Sequence, residues 1–84
     1  MKGKVVIPNQ GFKFAAIACE DSDILVLEPL YGDSLSLGDN VNTRGLGYAD
    51  QGCMRNITTG EEVEVLVQDI VSTMEEARRR CQVR

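Results

Sequence analysis

For most of the chain the apolar residues recur at every second position, and only near the end does the spacing change to that of a helix. Lys4–Pro8 is a short β-branched run closed by Pro8. In Phe12–Glu20, "FKFAAIACE", Phe12, Phe14, Ala16 and Ala18 share one face, and Lys13, Ala15, Ile17 and Cys19 share the other. The pattern places the two phenylalanines on a core face. Glu20–Asp23 reads as a turn, because Asp and Ser side chains bond their own backbone. Ile24–Leu30 then makes a strand that is apolar on both faces up to Glu28 and Pro29. A turn this short predicts an antiparallel hairpin. A strand without a wet face predicts cover on both sides, from a closed barrel or from a subunit interface.

Leu35–Gly52, "LSLGDNVNTRGLGYADQG", mixes strand-like spacing at Leu35, Leu37 and Val41 with turn residues. The spacing predicts a turn into a strand over "LSLGDNV" and a mobile loop over "NTRGLGYADQG". Cys53–Ile57 and Glu61–Ile70 follow as two strands around a turn in which Gly60 supplies the unusual backbone angle. Val63, Val65 and Val67 face one way, with Glu62, Glu64, Leu66 and Gln68 on the other, so this strand is wet on one side. Asp69–Val71 is the one stretch that could serve as a linker. Ser72-Thr73-Met74-Glu75 fits a capping box with Ser72 at the N-cap. Glu75 and Glu76 precede Arg78–Arg80, giving the pairs Glu75–Arg79 and Glu76–Arg80 in the favoured order. Met74, Ala77 and Cys81 form a narrow apolar stripe, which suits a lid or docking element.

These elements predict an all-β fold: a small five- or six-stranded antiparallel barrel with a short C-terminal α-helix. The barrel occupies 1–71 and the helix 72–84, packed on or between barrels, as parts of a single domain. In "LSLGDNV", Gly38 permits positive φ, Asp39 closes the turn, and Val41 re-enters the core. Through Leu35, Gly38, Asp39 and Val41 the stretch resembles the Leu-x-x-Gly-Asp-x-Val turn of small OB-like and SH3-like barrels. That resemblance implies architecture and carries no activity.

Eighty-four residues support one core of marginal size. No run approaches the ~20 apolar residues that span a bilayer, and Val5–Ile7 is too short for a signal-peptide core, so a cytoplasmic chain with no membrane partner is expected. Charge is uneven: residues 1–71 carry five Lys/Arg against eleven Asp/Glu, whereas residues 72–84 carry four Arg against two Glu. An acidic barrel gains little from phosphate attraction, which argues against nucleic acid. Three widely spaced cysteines and no histidine cannot close a four-ligand zinc site, and Cys19, Cys53 and Cys81 read as small buried or half-buried apolar residues.

Chemistry-bearing patterns are weak. Gly45-Leu46-Gly47 lacks the third glycine of a dinucleotide fingerprint, since position 50 is Asp50, and no Gly-Lys is followed by Ser or Thr. Glu20, Asp21 and Asp23, with Asp33 or Asp39, could offer oxygens to a hard cation, yet the EF-hand offsets are missing. Cys19 stands beside Ala18 and Glu20, surroundings that raise a thiol pKa and oppose nucleophilic use. Neither a cofactor nor a metal is expected, nor catalysis; an enzyme working through Asp39 and Asp50 is the weakest alternative. The expected function is a non-catalytic binding or interaction module, most simply a homo-oligomer that hides the apolar excess of Ile24–Leu30; a separate protein partner fits the same surface argument. The alternative is an OB-like nucleic-acid binder that stacks bases on aromatics. Arg44, Tyr48, Tyr31 and Arg55 are the candidate binding residues for either.

Overall fold

The computed structural model describes residues 1–9, 13–31 and 35–81. Phe12, Asp33 and the tail 82–84, with its Arg84, lie outside them, so the expectations for Phe12 on a core face and Asp33 as an oxygen donor are not addressed.

Six strands alternate antiparallel around a closed barrel: β1 (Lys2–Ile7), β2 (Ala15–Cys19), β3 (Ile24–Tyr31), β4 (Asn40–Asn42), β5 (Gln51–Asn56) and β6 (Glu62–Val71). The spatial order is β1-β2-β3-β6-β5-β4, and β4 closes on β1. Two three-strand meanders are thus joined edge to edge, which leaves no unpaired strand. The near end of the barrel carries Met1, the Glu20–Asp23 hairpin and the start of β5. The far end carries Tyr31, the 36–39 turn and the 57–60 turn.

Alternation along each strand sorts the core. Val5, Ala15, Ile17, Leu25, Leu27, Val41, Met54, Val63, Val65 and Val67 fill the barrel, and Leu35 enters from the connection that crosses the far end. The other faces of β2 and of the first half of β3 are covered. Ala16, Ile24, Val26 and Val71 pack with Ala77 and Cys81 of helix α1 (Met74–Cys81), and Phe14 and Met74 lie against them. The strand that is apolar on both sides is therefore covered by the chain's own helix. Its hydrophobicity alone gives no reason for a second subunit.

Three local expectations are corrected. The helix is capped one residue later than the pattern implied. Thr73 Oγ1 accepts from Glu76 N at 3.2 Å and donates to the Glu76 carboxylate at 3.1 Å, so the box is Thr73-x-x-Glu76. With Glu76 engaged there, Arg80 leaves the helix surface and pairs with Asp69 of β6 at 2.9 Å, while Glu75–Arg79 forms at 3.4 Å. Asp69–Val71 is not a linker but the end of β6. The segment 43–50 is a pair of hydrogen-bonded turns: Leu46 N donates to Thr43 O, Asp50 N to Gly47 O, and Gly47 N to the Asp50 carboxylate. Arg44 (φ 54°) and Gly45 (φ 75°) sit centrally in the first turn and Ala49 (φ 66°) in the second.

β1 approaches β2 so closely at Gly3 that no side chain fits. A Cβ there would lie 2.6 Å from Ile17 Cγ2 and 2.9 Å from the Ala18 carbonyl oxygen. The oxygen belongs to the ladder and cannot retreat. Gly3→Ala is expected to cost about 1–3 kcal/mol, read as a lowered midpoint in urea unfolding with an unchanged slope.

Candidate binding surface

The outer face of β4, β5, β6 and β3 is the broadest strand surface that α1 leaves open. Because paired residues point the same way, three rows cross it: Asn42–Arg55–Glu62, Cys53–Glu64–Tyr31 and Gln51–Leu66–Glu28. Side-chain bonds tie the rows together. Gln51 Nε2 donates to Glu64 at 2.8 Å, Gln68 Nε2 to Glu28 at 3.2 Å, and Lys13 pairs with Glu28 at 3.5 Å.

The candidate binding residues divide across this frame. Tyr31 and Arg55 occupy neighbouring rows of the outer face, near the far end. Arg44 reaches the same rows from its turn and pairs with Glu62 at 2.9 Å, an exposed contact worth little to stability. Tyr48 stands apart: it tips the 47–50 turn at the near end, about 13 Å away along β5. Tyr31 and Tyr48 are 80% and 69% exposed, so neither ring belongs to the core. Glu61, Glu62 and Glu64 lie beside the arginines, and any phosphate would meet that negative charge.

The remaining polar candidates have structural work. Asp39 and Asn56 are both buried, and their side chains meet through Asn56 Nδ2 donating to Asp39 Oδ2 at 2.9 Å. Asp39 Oδ2 also accepts from Ser36 N, which closes the Gly38 turn and accounts for the aspartate of the Leu-x-x-Gly-Asp-x-Val stretch. Asn56 Oδ1 accepts from Thr58 N and Thr59 N. That amide sits in a glycosylation sequon, but it is enclosed. Asp50 accepts from Gly47 N at the opposite end of the barrel, so Asp39 and Asp50 do not converge. The sequence marks Asn56 only as the first residue of the Asn56-Ile57-Thr58 sequon; its place just before a Thr-Thr-Gly turn is the signal for the buried structural role.

The cysteines differ from one another. Cys81 is buried on the inner face of α1 and Cys19 is half-buried, whereas Cys53 is exposed on the outer face, contrary to its reading as a buried or half-buried apolar residue. Burial, then Asp21, Asp23 and Glu20, push the Cys19 thiol from 9.0 up to about 11, opposed by the Met1 ammonium. Burial alone moves Cys81 from 9.0 to about 11. Both thiols keep their proton in the folded state at pH values where the unfolded chain releases it. Stability is then fully present below pH ~9 and is lost as pH rises towards ~11. Melting temperatures measured from pH 8 to 11 should fall, and Cys19→Ala with Cys81→Ala should flatten the fall.

Among the described residues no group of three or more Asp, Glu or Cys side chains is gathered as metal ligands would be, and no helix is long and apolar enough to cross a membrane. No family model, curated protein or solved structure matches the chain.

Proposed function

We propose that the protein is a non-catalytic interaction module that self-associates through the far end of its barrel and the adjoining outer face. One observation carries this reading: of the six large apolar residues exposed among those described, four, Leu30, Tyr31, Leu37 and Ile57, exposed by 42–80%, belong to strand ends and turns at that end, beyond the part of β3 that helix α1 covers. Exposed apolar residues concentrated at one end of a small domain mark a contact surface. A second copy suits it better than an unrelated partner because the patch complements itself in charge. A two-fold contact brings the same patch against itself, and Arg44 and Arg55 stand beside Glu61, Glu62 and Glu64 there. A reducing, cytoplasmic setting suits the three free cysteines.

Sedimentation velocity at tens of micromolar tests the reading. A dimer is expected for the unaltered chain and a monomer for Tyr31→Asp, which places a charge at the centre of the contact. A chain that stays monomeric throughout, or a dimer indifferent to Tyr31→Asp, overturns it.

The nucleic-acid alternative draws on Tyr31, Arg44 and Arg55 sharing one face, but Arg44 is already held by Glu62 and three glutamates border the patch. Salt-sensitive oligonucleotide binding that is lost on Arg44→Ala would favour it over self-association.

A further inference from the structure

A half-open cleft lies on the near end of the barrel, outside its packed core. Between the Glu20–Asp23 hairpin, the Thr43–Gly47 turn and the end of β6 lies a cavity of about 240 Å³. Leu25, Leu46 and Ile70 form its floor; Leu25 belongs to the barrel core and the other two pack directly on it. The turn geometry explains the opening. Two consecutive positive-φ residues, Arg44 and Gly45, fold the chain back so that Leu46 is tucked towards Gly52 while its backbone becomes a wall.

The rim is acidic. Asp21 and Asp23 line the cavity from the exposed hairpin. Asp21 Oδ1 accepts from Asp23 N at 3.1 Å, and no other side-chain bond or ion pair engages either carboxylate among the described residues. Glu20 is turned away, accepting from Lys2 N at 2.9 Å. Among the described residues that line the cavity, the one opposing charge is the Met1 ammonium, which donates to Asn42 Oδ1 at 3.1 Å. Two carboxylates against one ammonium leave the mouth net negative.

We infer that this cavity binds a compact organic cation, an ammonium or guanidinium group on a short apolar body. The floor rewards an apolar body by releasing water, and the rim favours a positive head group while repelling an anion. The volume lies below the ~300–1,000 Å³ of sites for drug-sized ligands, which limits the occupant to a small molecule. None of Leu30, Tyr31, Leu37 and Ile57 lines this site, although Arg44 of the turn that walls it reaches across to Glu62, and the inference does not depend on self-association.

Amide chemical shifts of the ¹⁵N-labelled full chain, titrated separately with cyclohexylammonium, cyclohexanol and cyclohexanecarboxylate, test the inference. The ammonium is expected to shift residues 19–25, 43–47 and 70 and to saturate with a dissociation constant on the order of 1 mM, as befits so small a probe. The alcohol and the carboxylate should bind at least about tenfold more weakly. Asp21→Asn and Asp23→Asn should each weaken the ammonium by about tenfold through loss of charge; asparagine at position 21 keeps the oxygen that accepts from Asp23 N, and at position 23 the backbone donor is unchanged. The variants' own spectra report whether the barrel is intact, and Tyr31→Asp should leave the affinity unchanged. Equal binding of the alcohol, no shifts at these residues, or affinity untouched in both variants would overturn it.

Discussion

Asn56→Asp is expected to destabilise the fold by about 3–5 kcal/mol at neutral pH, the penalty of setting a second buried carboxylate against Asp39. The substitution is nearly isosteric, so packing is not its cause. Asn56 is 2% exposed and Asp39 8% exposed, and their side chains are 2.9 Å apart. In the variant the Nδ2 donor becomes an oxygen, and two carboxylates face each other where water cannot separate them. Their repulsion holds one proton on the pair above the ordinary carboxyl range. The folded variant then binds more protons than the unfolded chain, so stability is recovered below about pH 4 and is lost as pH rises through the raised value. Urea unfolding at pH 7 and pH 4 checks both parts. Asn56→Ala, which removes the donor without adding charge, should cost only about 1–3 kcal/mol and show no such recovery. Equal losses for the two variants at pH 7 would show that charge is not the cause.

Leu35→Ala should cost about 2–5 kcal/mol, a core-sized loss from a residue outside every strand. Leu35 is fully buried in the barrel cluster, although it belongs to the connection between β3 and β4. Its backbone N–H donates to Asn9 Oδ1 at 3.1 Å, which fixes where the side chain enters. Shortening it opens a void at the far end that the rigid ladder cannot collapse into. Leu37 lies two residues on and is 69% exposed, so Leu37→Ala should change stability by no more than about 0.5 kcal/mol. Thermal or urea denaturation of the pair separates them; similar losses would mean that Leu35 does not seal the barrel.

That contrast marks what the sequence could reveal. Val63, Val65 and Val67 are legible as core because a strand with one wet face writes its direction in every second residue. Leu35 and Leu37 share that same spacing, yet no ladder holds them, and a turn starting at Ser36 sends one inward and the other out. Ile24–Leu27 shows a different limit. An apolar run predicts cover on both faces without naming the cover, and here it is α1. The shift of the cap from Ser72 to Thr73 arises because both residues satisfy the same chemistry and only the path of β6 chooses between them. Among the candidate binding residues, the sequence pattern puts Tyr31 in a loop, whereas it ends β3; the strand register brings it to one face with Arg55, and Arg44 joins them from its turn. The carboxylates of the 20–23 turn are legible as a cluster that could face a cation, but the cavity they border is not. It needs Asp21 and Asp23 to meet Leu46 and Ile70, which lie far along the chain, and no local pattern encodes that meeting.

The joining of the two meanders also bears on how fast the barrel can form. Within each meander the strands are neighbours in sequence and their pairing closes short loops. The two joints are different: Lys2 pairs with Asn42, and Ile24 pairs with Val71. They must bring together residues from 33 (Tyr31 and Glu64) to 47 (Ile24 and Val71) positions apart, and helix α1 has no platform until β3 lies against β6. Folding is therefore expected to be limited by β3–β6 and β1–β4 pairing and to take milliseconds to seconds, slow for a chain of this length.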